Sequence, residues 1–284
     1  MALAAARHGA EAASHVLRLP FRGHLWRGRA GAWLGSGRGT SLEFQDHRVY
    51  VPGDDPRHIN WQAYARTGVY SMKLYREEVS PSVDVVLDTT ASMILTGAKG
   101  LRALELLLFA VEGGQGVGAS VRAWTLAASD PTLIPSGALE TGDFSFVASA
   151  AAAAPDLTRI PFRSGSLRVL VTDGLFEAAP DPILARFVAG GGRGVVMMPF
   201  AAEEVDPEWS GPVELQDCET GTRRDQQMDA RTRESYRQAY RRHFAAWQDS
   251  GRRYGAVVAR VPSEGTLLEA LRQDALVVGA VEPA

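Results

Sequence analysis

The chain contains the segment Val83-Asp84-Val85-Val86-Leu87-Asp88-Thr89-Thr90-Ala91-Ser92-Met93. Its apolar, β-branched first half predicts a buried strand that ends on Asp88. Hydroxyl side chains follow two and four residues later, at Thr90 and Ser92. Ligands of open α/β sheets bind at the carboxyl ends of the strands. A carboxylate and two hydroxyls in such a loop offer only oxygen, which hard divalent cations prefer, so the segment predicts a metal site.

A second apolar run also ends on an acid, and it reads Val169-Leu170-Val171-Thr172-Asp173-Gly174. Parallel strands end at the same edge of a sheet, so Asp88 and Asp173 are expected to meet in one crevice. The alternative is that each aspartate caps the helix that follows it, since Asp is a common N-cap. The two acids together with Thr90 and Ser92 favour the metal site, whose predicted ligands are Asp88, Thr90, Ser92 and Asp173.

From residue 83 onward, strand patterns alternate with helix patterns. The predicted strands are 83–88, 120–126, 132–135, 167–173, 194–199 and 255–261, and the predicted helices are 98–112, 144–154, 182–188, 231–249 and 266–272. This alternation predicts an α/β fold with a mainly parallel sheet and helices on both faces. Between them, the polar segment 212–228 is expected to form a hairpin that turns at Glu219-Thr220-Gly221.

Composition narrows the possible functions. The chain has 284 residues, is 45% hydrophobic and carries a net charge of −3, which argues against a dedicated nucleic-acid binder. Cys218 is the single cysteine, so no disulfide forms within the chain, and a cytoplasmic location is expected. The longest charge-free run, residues 144–155, is too short to span a bilayer. Only Lys73 and Lys99 are lysines among the basic residues other than histidine, a bias attributed to genome composition.

The first motif does not match the common hydrolase signatures. A haloacid-dehalogenase phosphatase needs a second aspartate two residues after the first, where this chain has Thr90. A Gly-x-Ser-x-Gly elbow and a phosphate-binding Gly-x-x-x-x-Gly-Lys-Ser/Thr loop are both absent from the sequence. No catalytic residue is predicted. A metal-assisted hydrolase that uses Asp88 and Asp173, and a scaffold whose metal site is unused, remain as alternatives.

Residues 50–66 form a second distinctive block. Asp55 before Pro56 predicts a helix N-cap, and the helix is expected to stop near Gly68. Capped turns and buried ion pairs are the favoured interpretation of the acids and arginines of this block, and the alternative is a partner-binding groove. Those charged residues are Asp54, Asp55, Arg57 and Arg66.

Several motifs together resemble a known bacterial family. They are Leu42-Glu43-Phe44, Arg48-Val49-Tyr50-Val51-Pro52-Gly53-Asp54-Asp55-Pro56-Arg57-His58-Ile59-Asn60-Trp61, Ala65-Arg66-Thr67-Gly68, Lys73-Leu74-Tyr75, Glu77-Glu78, Leu215-Gln216-Asp217, Glu219-Thr220-Gly221 and Tyr236. The resemblance is to the family called domain of unknown function 58, and it extends over residues 35–275. It suggests three segments, a helical or disordered tail (1–34), a partly β region with the family signature (35–80) and the main domain with a C-terminal helical extension (81–284).

The family is similar to von Willebrand factor A domains, which implies a Rossmann-like fold with a metal-ion-dependent adhesion site. The resemblance also implies a non-catalytic, Mg²⁺-dependent (or Mn²⁺-dependent) protein-binding module, with a MoxR-type AAA+ ATPase as partner. Thr90 stands where such sites normally have serine, and it keeps the oxygen. The site usually draws a further threonine from another loop, for which Thr141 and Thr158 are both candidates. Many relatives begin with two membrane helices, and this chain resembles the form without them.

Overall fold

The computed structural model describes residues 2–21, 30–52, 54–79, 81–127, 130–141 and 154–284. It divides into two compact units. The larger unit combines Met1–Arg22 with Val83–Ala284, and the smaller unit is Gly23–Ser82. The junction between the two units lies near residue 82, and the first 22 residues join the larger unit.

The helices and strands follow one another along the chain. They are α1 (Ala2–Ser14), β1 (Leu17–Arg18), β2 (Ala30–Val49), α2 (Trp61–Thr67), β3 (Ser71–Val79), β4 (Ser82–Asp88), α3 (Gly97–Gly116), β5 (Ser120–Ala127), β6 (Asp130–Ile134), α4 (Ala138–Thr141), β7 (Leu167–Val171), α5 (Pro180–Val188), β8 (Arg193–Phe200), α6 (Ala202–Val205), β9 (Gly211–Gln216), β10 (Arg223–Met228), α7 (Ala230–Tyr254), β11 (Val257–Pro262), α8 (Leu267–Gln273), α9 (Ala275–Val278) and β12 (Glu282–Pro283). Short 3-10 helices span Pro56–His58, Ala91–Ile94, Leu157–Arg159 and Ala189–Gly191.

The larger unit is built on a central sheet. Within the described residues, six strands lie in the order β11-β8-β7-β4-β5-β6. The first four are parallel to one another, and β6 runs antiparallel to β5 at the edge. Val86 faces a core that includes side chains of α5 and α7. Val85 and Leu87 point to the opposite face by the two-residue period of a strand, and all three are fully buried. The expected mainly parallel α/β sheet is confirmed.

Most predicted elements of this unit are present at nearly the predicted positions. The helix predicted over 98–112 is α3, and the helix predicted over 231–249 is the longer α7. The edge strand predicted at 132–135 is β6, paired with β5. The helix predicted over 144–154 falls largely on residues 142–153, which lie outside the described part of the chain.

The N-terminal residues pack into the larger unit. Ala6, Ala10 and Ala13 lie on one side of α1 and are fully buried, and α1 contacts α3. After this helix in the chain, β1 pairs antiparallel with β12, so residues 17–18 lie beside residues 282–283. None of the helices that the structure describes has both the length and the apolar character needed to span a bilayer.

The smaller unit pairs β2 with β3 antiparallel. The predicted helix of its signature block is divided into two pieces. Asp55 caps a 3-10 turn by accepting from the Arg57 N–H at 3.0 Å, as the sequence predicts. Ile59 is extended, so α2 begins afresh with Asn60 as its cap and ends at Gly68, whose φ is +70°.

The ion pairs of this block are local. Arg48 pairs with Asp54, and Arg57 pairs with Asp55 two residues away at 2.7 Å. The Arg57 side chain is 86% exposed, so the expectation of buried ion pairs is wrong for this residue. Surface pairs of this kind add little stability because water screens them.

Candidate metal centre

The loop after β4 gathers three of the predicted ligands. Asp88 is the last residue of β4, and its side chain is 1% exposed. Thr90 is extended and begins the 3-10 helix Ala91–Ile94, which turns Ser92 back toward it. The Thr90 N–H donates to Asp88 Oδ1 at 2.9 Å, and Thr90 Oγ1 lies 3.1 Å from Ser92 Oγ. One carboxylate and two hydroxyls therefore converge in a buried loop.

The end of β7 supplies the next groups. The parallel register pairs Leu87 with Val171, so the following residues, Asp88 and Thr172, are neighbours. Thr172 Oγ1 donates to Asp88 Oδ2 at 2.7 Å. Asp173 is 2% exposed, and its charge acts on Asp88. The structure thus brings both predicted acids to one edge, but the direct contact is made by Thr172, which precedes Asp173 and which the sequence reasoning passed over.

A buried lysine completes the edge. Lys99, in the first turn of α3, is fully buried and donates to Asp173 Oδ2 at 2.9 Å. Its ammonium also pairs with Glu204 of α6, which follows β8. Glu204 Oε2 accepts from the Ala201 N–H at 2.7 Å. Sequence reasoning missed both Lys99 and Glu204, and the rarity of lysine in this chain was the only signal.

The charges of this edge are unevenly balanced. Burial raises the pKa of Asp88 to about 6, and the negative charge of Asp173 adds to the effect, while hydrogen bonds from Thr172 and Thr90 oppose it. Burial acts to lower the pKa of Lys99, but attraction by Asp173 and Glu204 outweighs it, so the net shift is upward. The lysine therefore stays charged, and its single positive charge offsets one of its two carboxylates. In the described part of the chain Asp88 has no such partner, so a bound cation would stabilise its ionised form.

The β9–β10 hairpin reaches the same place. Glu219 lies in its tip and is partly buried. The pKa of Glu219 is raised, chiefly by burial, and the charges of Asp173 and Asp217 add to the rise while the nearby Ser92 opposes it. The sequence predicted only a turn at this position. No local pattern signals that a hairpin distant in sequence ends beside Ser92.

Both aspartates also hold their own loops. Asp88 Oδ1 accepts from the Thr90 N–H, and Asp173 Oδ1 accepts from the Leu175 N–H at 3.0 Å. Neither aspartate is a helix N-cap, because Thr90 precedes the 3-10 helix after β4 and Ala179 precedes α5, so the capping alternative is wrong. One oxygen of each carboxylate instead bonds an N–H of its own loop. With Oδ2 taken by Lys99, Asp173 fits support of a cation through water better than direct ligation.

The oxygen donors of Asp88, Thr90 and Ser92 fit a small divalent cation, and two of the three donors are hydroxyls. Among the described residues, no group of three or more His, Cys, Asp or Glu side chains is placed to hold a metal, so a site here depends on Thr90 and Ser92. Adjacent ligands of an octahedral Mg²⁺ with bonds of ~2.1 Å lie about 3.0 Å apart. The 3.1 Å between the two hydroxyl oxygens is close to that separation. Asp88, Thr90 and Ser92 would hold the cation.

The two threonines predicted as candidates for a further ligand both make local hydrogen bonds. The Thr141 hydroxyl, at the end of α4, donates to the carbonyl of Gly137, which precedes that helix, and Thr141 is exposed. Thr158 is exposed in the 3-10 helix Leu157–Arg159, where its N–H donates to Asp156. In the described part of the chain, the threonine hydroxyl that bonds Asp88 belongs to Thr172.

Fold and site together define an α/β protein whose mainly parallel sheet carries buried acids and hydroxyls at its carboxyl edge. The chain matches the family described as "Protein of unknown function DUF58" over residues 46–246, and it belongs to that family. The match runs from the end of β2 into α7 and so includes every residue of the candidate centre. No curated protein and no solved structure matches the chain.

Proposed function

We propose that the protein is a non-catalytic module that binds a protein partner through Mg²⁺ or Mn²⁺, at an adhesion-type site like that of von Willebrand factor A domains. The supporting observation is the convergence of Asp88, Thr90 and Ser92 in a buried, oxygen-only loop at the carboxyl edge of the sheet. Ligands of open α/β sheets bind at this edge.

Each residue has a distinct role in this proposal. Asp88, Thr90 and Ser92 hold the cation, and Thr172 orients the Asp88 carboxylate through its 2.7 Å hydrogen bond. Asp173 acts through water while Lys99 holds it in place at 2.9 Å. When bound, Mg²⁺ supplies an exchangeable position for a carboxylate oxygen of the partner, because it keeps several waters and takes few protein ligands.

The proposed partner is a MoxR-type AAA+ ATPase, with a cytoplasmic complex in which the module acts as adaptor in protein maturation or assembly. Membership of the DUF58 family supports this choice, through the genomic association that the resemblance implies. Recognition by a carboxylate predicts that an aspartate or glutamate of the ATPase is the contacting residue.

Calorimetric titration with Mn²⁺ and Mg²⁺ tests the metal site. We expect binding by the wild type and its loss in Asp88→Asn, because the amide removes the ligand charge. Asp225→Asn is the matched control, since Asp225 is an exposed aspartate on β10. Capture of the ATPase encoded nearby is then compared in Mg²⁺ and in EDTA. Binding that is equal in all variants and both buffers contradicts the proposal.

A scaffold without metal is the second candidate. Lys99 supports it, because its ammonium already supplies a buried positive charge to Asp173 and Glu204. A thermal shift by Mg²⁺ or Mn²⁺ in the wild type distinguishes the two, since a ligand that binds only the folded state raises the melting temperature. An unchanged melting temperature at millimolar cation favours the scaffold.

A metal-assisted hydrolase is the third candidate. The pKa of Asp88, raised to about 6 chiefly by burial, favours it because a carboxyl in that range exchanges protons near neutral pH. Turnover of generic phosphate or ester substrates that is lost in Asp173→Asn would support this function over the binding module.

A further inference from the structure

The smaller unit carries a group of exposed aromatic and branched apolar side chains in its signature block. Trp61 of α2 is 58% exposed, and Tyr70, just before β3, is 45% exposed. Three valines close by in the sequence are exposed as well, namely Val49, Val51 and Val69. No residue of α2 is buried, so this helix presents its apolar side chains to solvent. A concentration of large apolar side chains at a surface is typical of an interaction site.

Ring contacts join four aromatic side chains into one continuous surface. We call it the aromatic patch, and its members are Tyr50, Trp61, Tyr64 and Tyr70. Tyr64 stacks on Tyr70 with the ring centroids 4.3 Å apart and the ring planes 13° from parallel. The Trp61 ring is nearly perpendicular to both tyrosines, at centroid distances of 6.2 Å and 6.4 Å. The patch is therefore a corner between an indole and a stacked tyrosine pair rather than a flat platform.

Local hydrogen bonds hold the helix that carries two of these rings. The Asn60 side chain caps the start of α2 by accepting from the Ala63 N–H at 3.1 Å. At the other end, the Gly68 N–H donates to the Tyr64 carbonyl at 2.8 Å. Both ends of α2 are thus fixed before a partner binds, and a preformed surface lowers the entropic cost of binding.

The charged residues of the block contribute little net charge to the patch. Four of them form local ion pairs, which are Arg48 with Asp54 and Arg57 with Asp55. Arg66 lies about 160° around the axis of α2 from Tyr64, and its Nε–H donates to the Gln62 carbonyl at 3.3 Å. These surroundings favour an uncharged occupant over a nucleic acid, whose binding relies on several contacts with phosphate.

The size of the patch limits what can cover it. An aromatic side chain has about 150–250 Å² of surface, so two rings that are about half exposed and two that are less exposed present on the order of 300 Å². Each partner of a standard interface buries about 800 Å², so the patch alone is too small for a stable dimer of this chain. A short extended segment of another protein matches this size.

A polyproline II segment fits both the shape and the chemistry of the patch. It has no internal hydrogen bonds, so its carbonyls can accept from tyrosine hydroxyls and from an indole N–H. Its rigid proline rings dock into grooves that are lined by aromatic side chains.

We propose that the aromatic patch binds a proline-rich, uncharged segment of a partner protein in the polyproline II conformation. Trp61 forms one wall of the site, and the stacked rings of Tyr64 and Tyr70 form the other. The signature block then has a binding role, which is the alternative that its sequence left open. None of the four aromatic residues belongs to the metal centre, so this binding does not require a divalent cation.

Dye-labelled, acetylated decaproline is the probe, and fluorescence anisotropy with the full chain measures its affinity. We expect the wild type to bind decaproline and not a labelled glycine–serine peptide of the same length, which lacks the preformed conformation. Trp61→Ala should weaken binding about 10-fold or more, because Trp and Tyr side chains dominate the energy of many interfaces. Tyr70→Leu keeps apolar surface but removes the ring, so it should weaken binding as well.

Trp209→Ala is the matched control. Trp209 is 48% exposed, which is similar to Trp61, but it lies between α6 and β9 in the larger unit. Its substitution is expected to leave the affinity for decaproline at the wild-type value. Binding should also be unchanged in EDTA and in Asp88→Asn.

Several outcomes would overturn the binding role of the patch. Equal affinity of the wild type and Trp61→Ala, or no binding of decaproline at millimolar concentration, removes a proline-rich segment as the occupant. A dimer in sedimentation velocity that Trp61→Ala dissociates makes a second copy of the chain the occupant. Loss of decaproline binding in EDTA assigns it to the metal centre. Because Mn²⁺ binding is measured separately, failure of decaproline to bind leaves the proposed metal site untouched.

Discussion

Lys99 is the residue that most changes how Asp88 and Asp173, the two acids at the strand ends, are interpreted. Its ammonium lies fully buried between Asp173 and Glu204. A lysine provides a compact point charge, whereas the planar guanidinium of arginine needs a wider site. This geometry gives a reason for one of the two lysines in a chain that otherwise uses arginine, which composition alone left to genomic bias.

Substitution of Thr172 tests whether this threonine, rather than Thr141 or Thr158, supports the proposed metal ligand Asp88. In Thr172→Val, the loss of the hydrogen bond to Asp88 should destabilise the fold by about 1–3 kcal/mol, because a buried acceptor loses its donor. Mn²⁺ affinity should fall about 10- to 100-fold, since the side chain that orients a ligand is lost. Urea denaturation and calorimetry measure the two effects.

Thr141→Val and Thr158→Val are the matched controls for that experiment. Both residues are exposed, so changes within about 0.5 kcal/mol and an unchanged Mn²⁺ affinity are expected. A loss of affinity in either variant, with none in Thr172→Val, would restore the threonine that the family resemblance places on another loop.

The loop after β7 depends on close approach between elements. Gly174 has a φ of +68°, and an added Cβ would lie 2.9 Å from Met198 Cε and 3.1 Å from Trp247 Nε1. Gly174→Ala should therefore destabilise the fold by about 2–4 kcal/mol, from backbone strain together with displacement of β8 and α7 side chains. Urea denaturation gives the free energy of unfolding.

Gly190→Ala isolates the backbone contribution. Gly190 has nearly the same φ, +69°, but the nearest atom to an added Cβ is an Arg168 nitrogen at 3.9 Å. About 1–2 kcal/mol is expected from the left-handed backbone alone. Equal losses in the two variants would show that contact with Met198 and Trp247 does not restrict the loop after β7.

At the scale of the whole larger unit, the N-terminal helix α1 packs against helices from distant parts of the chain. Ala10 is fully buried on α1, which packs against α3 and α8, so Ala10→Glu should destabilise the protein by about 2 kcal/mol or more, because a carboxylate enters a filled apolar site. Ala12→Glu changes an exposed position of the same helix and should alter stability by less than about 0.5 kcal/mol. Thermal or urea denaturation compares them. Equal stability of both variants would indicate that α1 is not docked in solution.

The periodicity of apolar residues was sufficient to predict the central sheet and most of the helices. The apolar runs at 83–88 and 167–171 form adjacent parallel strands, and the spacing of leucines predicts α3. The signature block was predicted less well, because Ile59 interrupts a helix that its N-cap and C-terminal glycine signals suggest is continuous. A single extended residue is a tertiary effect that no local signal announces.

For the candidate site, local pattern placed Asp88, Thr90 and Ser92 in one loop, because all three belong to the turn that follows β4. It also placed Asp173 at the same edge, because parallel strands end together. The roles of Thr172, Lys99 and Glu204 were decided by the tertiary structure. Their contacts join segments far apart in sequence, and only the order of the strands brings those segments together.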